Sequence, residues 1–256
     1  MRNIVLGYGS LQGAASATAT STAAGYQPAN PTTLARGTTW KAGASGDQSL
    51  VYEFGSAITP TFLGVANANW SKFGAGARLR HSNDGVSWTN YYTLASLPST
   101  DFLEDFFAIL TAAPARPWWS LQFPASSAAV EIGIFYLGYQ LTLAKNPSYG
   151  AIEEDVYNVE LDRSEGRVVV ADRAARRLSR FEMAWERGKV TDRDEVRTIL
   201  RGEDGPRRPF WFVPIDESGS STAGRGYIGR MVPLSFPVRR KFFDRYEYGL
   251  NFLEEV

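Results

Sequence analysis

The one histidine of the chain stands beside a serine and an aspartate, the residue types of a hydrolytic triad. His81 precedes Ser82 and Asp84, and the sequence contains no cysteine. Adjacent residues of a strand point to opposite faces, so His81 and Ser82 are not expected to meet. The G-x-S-x-G turn that exposes a nucleophilic serine is also missing. We therefore predict no catalytic residue, and the protein is not expected to be an enzyme.

Acidic residues cluster at three points where paired carboxylates could serve a glycosidase or a cation site. The clusters are Glu104/Asp105, Glu153/Glu154/Asp155 and Asp192/Asp194/Glu195. The second lies at a linker, and the third lies at the start of a predicted helix, where carboxylates complement the helix dipole. Solvated or capping roles are therefore favoured over paired catalysis. With one histidine and no cysteine, neither a metal site nor a cofactor is predicted.

Tryptophans are the candidate ligand-binding residues, because an aromatic ring can stack on a sugar. Trp40, Trp70 and Trp88 are the main candidates, and Trp118 and Trp119 belong to the same group. The competing interpretation places most of these rings in the core of a β-sandwich, which is the commoner location for tryptophan. The sequence alone leaves both interpretations open.

Arginines recur between residues 173 and 180, in a pattern that could contact nucleic acid or another subunit. They are Arg173, Arg176, Arg177 and Arg180, and the Asp and Glu residues elsewhere in residues 151–256 keep that part of the chain near neutral. A DNA-binding face should be distinctly basic, so nucleic acid is not the expected partner. We predict that these arginines pair with carboxylates across a subunit interface. An ordinary solvated surface is the alternative.

Charge density divides the sequence into two parts. Residues 1–150 contain 8 Lys and Arg and 7 Asp and Glu, against 19 and 20 in residues 151–256. Such a step typically marks a domain boundary, which we place near Gly150, giving domains 1–150 and 151–256. No long apolar stretch predicts membrane insertion, and the N-terminus lacks the apolar core of a signal peptide. The absence of cysteine agrees with folding in a cytoplasm.

Short β-type runs separated by turn residues fill the first domain. In residues 50–54 and 130–137 apolar side chains recur at every second position, as in a sheet with one buried face. Asp84 and Gly85 predict a tight hairpin between two of the runs. Residues 99–114 are the one helical candidate, with a loop as the alternative. The pattern predicts a sandwich or barrel.

Several elements of this domain follow one another in an order that a known family shares. They are Asn30-Pro31, Thr38-Thr39-Trp40, the strand ending in Phe54, Leu63-Gly64-Val65 with Asn67 and Asn69, Arg78-Leu79-Arg80 with Ser82-Asn83-Asp84-Gly85 and Trp88, Trp118-Trp119, and residues 132–138. Over roughly residues 25–145 this order resembles discoidin-like, galactose-binding-type jelly rolls. The resemblance implies a jelly-roll sandwich whose loops at one end bind glycan or protein. The paired cysteines of the extracellular members are missing, as in a phage or bacterial variant.

The second domain is predicted to be a smaller antiparallel β domain with one helix near 192–201. Thr191 and Asp194 could form a capping box for that helix, and Phe181, Met183 and Trp185 share one face of a strand. The order of strand, helix, the Pro-Phe-Trp-Phe-Val-Pro segment and a terminal aromatic strand resembles domains of phage tail-tube, distal-tail and baseplate-hub proteins. That resemblance spans roughly residues 155–256.

The two resemblances together favour a structural protein of a phage tail tip or baseplate. Such a protein would form a symmetric ring with copies of itself, contact other tail proteins such as tube, hub or fibres, and present the jelly roll to a host surface glycan. Its location would be the virion, after folding in the host cytoplasm. A free carbohydrate-binding module is the alternative, and a glycan-processing enzyme is the third hypothesis.

Overall fold

Contacts within the chain divide it into two units. Unit 1 consists of Met1–Thr142 and Val213–Gly226, and unit 2 of Leu143–Phe212 and Tyr227–Val256. The structure is a computed structural model that describes residues 4–9, 14–35, 37–73, 76–95, 97–98, 101–102, 104–126, 129–144, 146, 152–163, 169–202, 209–214, 223–231, 238–242 and 245–254. The boundary expected at Gly150 lies outside the described residues. Because Val213–Gly226 belongs to unit 1, a single boundary in the sequence cannot separate the two units.

Unit 1 consists mainly of strands. They are β1 (Val5–Tyr8), β2 (Ala14–Ala19), β3 (Trp40–Lys41), β4 (Gly46–Ile58), β5 (Phe62–Ala68), β6 (Arg78–Ser82), β7 (Thr89–Thr93), β8 (Asp105–Ile109), β9 (Arg116–Ser126) and β10 (Glu131–Thr142). Short 3-10 helices at Asn30–Thr32 and Trp70–Lys72 lie in the connections.

One sheet of unit 1, called the β9 sheet below, is antiparallel throughout. Within the described residues it joins five strands in the order β2-β4-β9-β6-β7. Leu121 of β9 lies opposite Leu50 of β4 on one side and Leu79 of β6 on the other. All three side chains are buried, so this row marks the core face of the sheet. Along each strand, the residues next to these leucines point away from the core.

The second sheet of unit 1 is centred on β10 and closes the sandwich. β10 pairs with β1, β3 and β5, and β8 pairs with β5 and with residues 223–226. Rings from the two sheets meet in the core, where Tyr52 stacks on Phe135 with centroids 5.0 Å apart. Trp40 and Phe123 meet similarly at 6.4 Å. The prediction of a mainly β fold that begins with a jelly-roll sandwich is confirmed.

The prediction of a helix within residues 99–114 is wrong. The apolar part of this segment is the strand β8, which pairs with β5 and places Phe106 opposite Val65 and Phe107 opposite Gly64. Phe106 and Phe107 are both buried, so the strand has apolar contacts on both faces. A short run that is apolar at every position carries neither the period of a helix nor that of a half-exposed strand, and the sequence could not separate them.

The turn between β6 and β7 is held by side-chain hydrogen bonds. Ser82 Oγ accepts from the backbone N–H groups of Asp84 and Gly85 at 3.1 and 3.0 Å. Asp84 Oδ1 accepts from Val86 N and Ser87 N at 2.9 and 2.8 Å. Only Gly85 of this turn has a positive φ, of 72°. The hairpin lies where Asp-Gly predicts it, but its loop is longer than the tight two-residue form.

Unit 2 is also β-rich and contains one α-helix within the described residues. Its elements are β11 (Ile152–Arg163), β12 (Val169–Lys189), α1 (Val190–Gly202), β13 (Phe210–Val213), β14 (Ala223–Met231), β15 (Val238–Phe242) and β16 (Arg245–Glu254). Residues 223–226 of β14 and Val213 belong to unit 1. β12 pairs with β11 and β16, and the unit 2 part of β14 pairs with β13 and β16.

The core of unit 2 is aromatic. The ring of Phe181 lies 4.8 Å from Phe212 and 4.9 Å from Tyr227, measured between centroids. Phe181, Met183 and Trp185 are all buried, as their alternation along β12 predicts. Helix α1 includes the predicted span 192–201 and buries Val196 and Ile199. No helix in the described parts of the chain is long and apolar enough to cross a bilayer.

Candidate functional site

The structure separates the candidate tryptophans. Trp40 is 0% exposed and Trp70 is 3% exposed, so neither ring can stack on a ligand. Both pack in the sandwich core, and Trp70 Nε1 donates to the backbone oxygen of Glu104 at 2.9 Å. The interpretation of these two residues as ligand-binding is therefore wrong. Trp119 is fully buried as well, whereas Trp88 and Trp118 are half-buried.

Trp88 and Trp118 lie at the side of the β9 sheet that turns away from the core, which we call the outward face. Strand alternation places on this face the residues of β4, β9 and β6 that lie between the apolar residues of the core face. They are Ser49, Val51 and Glu53 of β4, Trp118, Ser120 and Gln122 of β9, and Arg78, Arg80 and Ser82 of β6. Ser120 and Ser82 are themselves buried. Hydroxyl, amide, carboxylate and guanidinium groups thus share the face with the partly exposed indoles.

Arg80 is held on the outward face by an aromatic ring and a hydroxyl. Its Cζ lies 5.0 Å from the centroid of the Trp88 ring, within the range of a cation–π interaction. Its Nη2 donates to Ser120 Oγ at 3.4 Å. Burial lowers the pKa of Arg80, and the nearby charge of Arg78 lowers it further. An arginine keeps its proton at neutral pH even so. Arg80 therefore presents a positive charge in a defined orientation.

Arg78, two residues before Arg80 on β6, is also held by a neighbouring side chain. Its Nε donates to Gln122 Oε1 at 2.8 Å, across the β6–β9 pair. At the far side of β9, Glu53 Oε2 accepts from Ser16 Oγ at 2.9 Å. The outward face therefore carries polar groups whose positions are set by neighbours on adjacent strands. Groups that are already ordered lose less entropy when they bind a ligand.

Trp118 braces the hairpin that carries Trp88. A Cβ added to Gly85 would lie 3.1 Å from Trp118 Cδ2 and Cε2, so the turn packs directly on the face of the indole. Together with the hydrogen bonds of Ser82 and Asp84, this contact fixes the turn from two directions. The hairpin therefore gives Trp88 a stable position beside the sheet.

His81, Ser82 and Asp84 do not form a triad. The imidazole of His81 lies on the core side, 5.6 Å from the ring of Trp119 and 6.2 Å from that of Tyr91. Ser82 Oγ instead donates to Asp84 Oδ1 at 2.8 Å, as part of the turn. Burial and the charge of Arg116 lower the pKa of His81. Hydrogen bonds from Ser87 N, Val86 N and Ser82 hold the pKa of Asp84 well below its usual range.

The acidic clusters do not form paired sites where the structure describes them. Asp105 is buried and accepts from Asn67 N at 3.4 Å, while Glu104 uses its backbone oxygen for Trp70. Asp192 is buried in α1, and Asp194 forms an ion pair with Arg193 at 2.5 Å. The side chains of residues 153–155 lie outside the described ones. Among the described side chains, no three His, Asp or Glu residues are placed to hold a metal ion.

Only part of the predicted arginine interface can be located. The side chains of Arg173, Arg176 and Arg177 lie outside the described ones, although their backbone is in β12. Arg180 forms an ion pair with Glu182 at 2.5 Å on the same strand, and both side chains are partly exposed. The subunit interface therefore stays a prediction.

Sequence reasoning missed Arg78, Arg80 and Gln122 as site residues. The signal was present in the alternation of Arg78-Leu79-Arg80-His81-Ser82, which places both arginines on one face once Leu79 is assigned to the core. The cross-strand neighbours were not available from this pattern, because they depend on the pairing of β6 with β9, 40 residues away in the case of Arg80 and Ser120.

No protein-family model matches the sequence, and no curated protein matches it. Solved structures of carbohydrate-binding modules are similar to about half of the chain. Chitosan-binding module 1 from a chitosanase/glucanase of Paenibacillus sp. IK-5 is 21% identical, with a TM-score of 0.41, and the match covers 51% of this chain and 98% of the module. A CBM32 module from Clostridium perfringens, in complex with GalNAc-β-1,3-galactose, is 14% identical, with a TM-score of 0.44 and coverage of 51% and 99%.

Proposed function

We propose that unit 1 is a non-catalytic carbohydrate-binding module that holds saccharide on the outward face of the β9 sheet. The observation that carries the proposal is the arrangement of Trp88, Arg80 and Ser120, in which a partly exposed ring and a guanidinium are fixed against each other on a polar sheet. A sugar presents an apolar ring face and a rim of hydroxyls. Stacking on an indole and hydrogen bonding to the Arg and Gln side chains satisfy both, while the buried Ser120 orients Arg80.

The composition of the face supports a saccharide over an apolar ligand. Of its β4, β9 and β6 positions, only Val51 and Trp118 are apolar, and Val51 lies opposite Ser120. Apolar ligands bury most of their surface in concave pockets lined by hydrophobic side chains. A face of hydroxyl, amide, carboxylate and guanidinium groups suits a ligand that makes many hydrogen bonds.

The loop connections offer a second location for the same function, in line with the resemblance to discoidin-like domains. There, Lys41 Nζ lies 5.6 Å from the ring centroid of Tyr26 and 3.6 Å from Glu131 Oε2. Tyr26 is 37% exposed. Lys41 is already paired with the carboxylate of Glu131, so this location offers a ligand less free hydrogen-bonding capacity than the outward face does. We therefore place the ligand at Trp88.

The experiment screens the purified full chain against immobilised polysaccharides and then measures the affinity of the best ligand by calorimetry. Trp88→Ala should weaken binding about tenfold, which corresponds to a loss on the order of 1.4 kcal/mol. Tyr26→Ala is the control, since it removes an exposed ring elsewhere on unit 1. If Tyr26→Ala abolishes binding and Trp88→Ala does not, the site is at the loops. If no polysaccharide binds, the proposed function is wrong.

A structural part in a phage tail tip or baseplate is the second candidate, for residues 151–256. It is supported by the composition of that region, with 19 Lys and Arg against 20 Asp and Glu. Exposed ion pairs contribute only about 0–1 kcal/mol each, whereas pairs at a ring contact give specificity and register. Location in a virion is part of the same prediction.

Reversal of Arg176 and Arg177 to Glu tests this second candidate. The double variant should fail to oligomerise or to enter a tail while the chain stays folded, as measured by sedimentation at low and high salt. Arg201→Glu, at an exposed position of α1, is the control for a general charge effect. Assembly of the double variant at both salt concentrations would contradict the ring.

A further inference from the structure

Two arginines lie side by side on the outward face without a carboxylate partner. Arg78 and Arg80 are separated by one residue of β6, so their side chains leave the strand roughly 7 Å apart on the same side. The described contacts of Arg78 on this face are with Gln122, and those of Arg80 are with Ser120 and Trp88. No carboxylate among the described residues lies within ion-pair distance of either guanidinium.

Two carboxylates on or beside this face have other roles. Glu53 lies on the outward face in β4, beyond β9 from the arginines, and accepts from Ser16. Asp84 accepts the backbone hydrogen bonds of the turn. Arg80 Nε is buried and has no hydrogen-bond partner among the described residues. The protein therefore orients the two positive charges with neutral groups and leaves their attraction for an anion unused.

The positive pair is local rather than part of a basic surface. Residues 1–150 hold 8 basic and 7 acidic side chains, so the domain has almost no net charge. A nucleic-acid-binding face gathers many basic groups along a phosphate backbone. Two oriented guanidiniums beside an indole instead match a ligand with an anionic group attached to a ring.

Resting on the carbohydrate-binding proposal, we propose that the ligand is an anionic saccharide, whose carboxylate or sulfate groups bind between Arg78 and Arg80 while a sugar ring stacks on Trp88. The planar fork of arginine donates paired hydrogen bonds to the oxygens of either group, and charge-assisted bonds of this kind are stronger than neutral ones. Partial burial beside Trp88 and Ser120 reduces the screening of the Arg80 charge by water. Burial and the adjacent Arg78 charge also lower the pKa of Arg80. A bound anion would offset this repulsion.

The experiment measures the binding of the full chain to oligosaccharides of equal length by calorimetry. The probes are an oligogalacturonate, which carries carboxylates, a sulfated galactan fragment, and a neutral galactan fragment. At least one charged probe should bind about tenfold more tightly than the neutral one, and its affinity should fall as salt rises. The carboxylated and sulfated arms identify which anion the site prefers.

Variants assign the preference to the two arginines. The double variant Arg78→Gln/Arg80→Gln should reduce the affinity for the charged probe to that of the neutral one. Lys72→Gln, which removes one positive charge elsewhere on unit 1, should change neither affinity. If the double variant proves unstable by thermal melting, Arg78→Gln alone should still lower the affinity for the charged probe by a larger factor than the affinity for the neutral one.

The outcomes separate this inference from the function on which it rests. Equal binding of charged and neutral probes, with loss of both in Trp88→Ala, would overturn the anionic preference and keep the carbohydrate-binding function. Absence of binding to every saccharide would overturn both. Tighter binding of a thymidine oligonucleotide than of either charged saccharide would show that the arginines serve nucleic acid instead.

Discussion

Trp118 and Trp119 are neighbours in the chain but lie on opposite faces of the β9 sheet. Trp119 is fully buried, and its Nε1 donates to the backbone oxygen of Arg116 at 3.0 Å. Trp118 is half-buried on the outward face, where the turn at Gly85 packs on it. The core face is filled by apolar side chains in close contact, while the outward face is ordered by hydrogen bonds and stacking. One residue of displacement along a strand thus separates a ring that fills the core from a ring that supports a turn at the surface of the sheet.

The largest expected contrast is between alanine substitutions of the two tryptophans. Trp119→Ala removes a buried ring that contacts His81 and Tyr91, and should lower the free energy of unfolding by about 3–5 kcal/mol. Trp118→Ala should lower it by less, because part of that ring is already in contact with water. Urea unfolding followed by circular dichroism measures both. Equal losses would contradict the assignment of the two rings to different faces.

Gly85→Ala tests how firmly Trp118 braces the turn. The substitution combines a φ of 72° with a new Cβ at 3.1 Å from the indole, and should destabilise the protein by about 1–3 kcal/mol. It should also weaken saccharide binding, since the turn positions Trp88. Gly37→Ala is the matched control, because nothing lies within 4 Å of a Cβ at that position. Thermal melting of the two variants gives the comparison, and similar melting temperatures would contradict the bracing role.

Asp84→Asn tests the hydrogen bonds of the same turn through their pH dependence. The pKa of Asp84 is held below its ordinary value of 3.8, so the carboxylate stabilises the folded state above that value, and the contribution disappears as pH falls toward the folded pKa. The wild-type protein should therefore lose more stability than the variant between roughly pH 5 and pH 2. Denaturant unfolding at several pH values measures the difference. Parallel pH profiles would show that the turn does not depend on the charge.

His81→Gln should give the smallest effect, at a higher pH. The folded pKa of His81 lies below its ordinary value of 6.5, so burial favours the neutral ring, and the associated stability is complete above 6.5 and declines as pH falls through the folded pKa. The variant should lack this decline. Saccharide binding should be unchanged, because the imidazole faces the core. A loss of binding in a folded His81→Gln protein would assign the residue to the site.

The turn around Asp84 and strand β4 could be predicted from local chemistry. Asp-Gly favours a turn, and the alternation of Leu50, Tyr52 and Phe54 gives a strand with one apolar face, without reference to the rest of the chain. Helix α1 was predictable for the same reason, since a 3.6-residue apolar period is a local feature. The helix begins at Val190, however, so Thr191 lies inside it rather than at the predicted cap. Segments that are apolar on both faces, such as Phe106 and Phe107, carried no such signal.

The sequence by itself determined the β-rich character, the turns, the helix and the charge-rich second half, because each depends on residues close together in the chain. Only the tertiary structure decided which tryptophan is buried, that residues 223–226 pair with β8, and that Arg80 lies between Trp88 and Ser120. These facts depend on pairings between distant parts of the chain, 40 residues apart for Arg80 and Ser120, and on how the two sheets of unit 1 cover each other. Strand alternation gives a side chain one of two faces, but the contacts between sheets decide which face meets the core and which meets water.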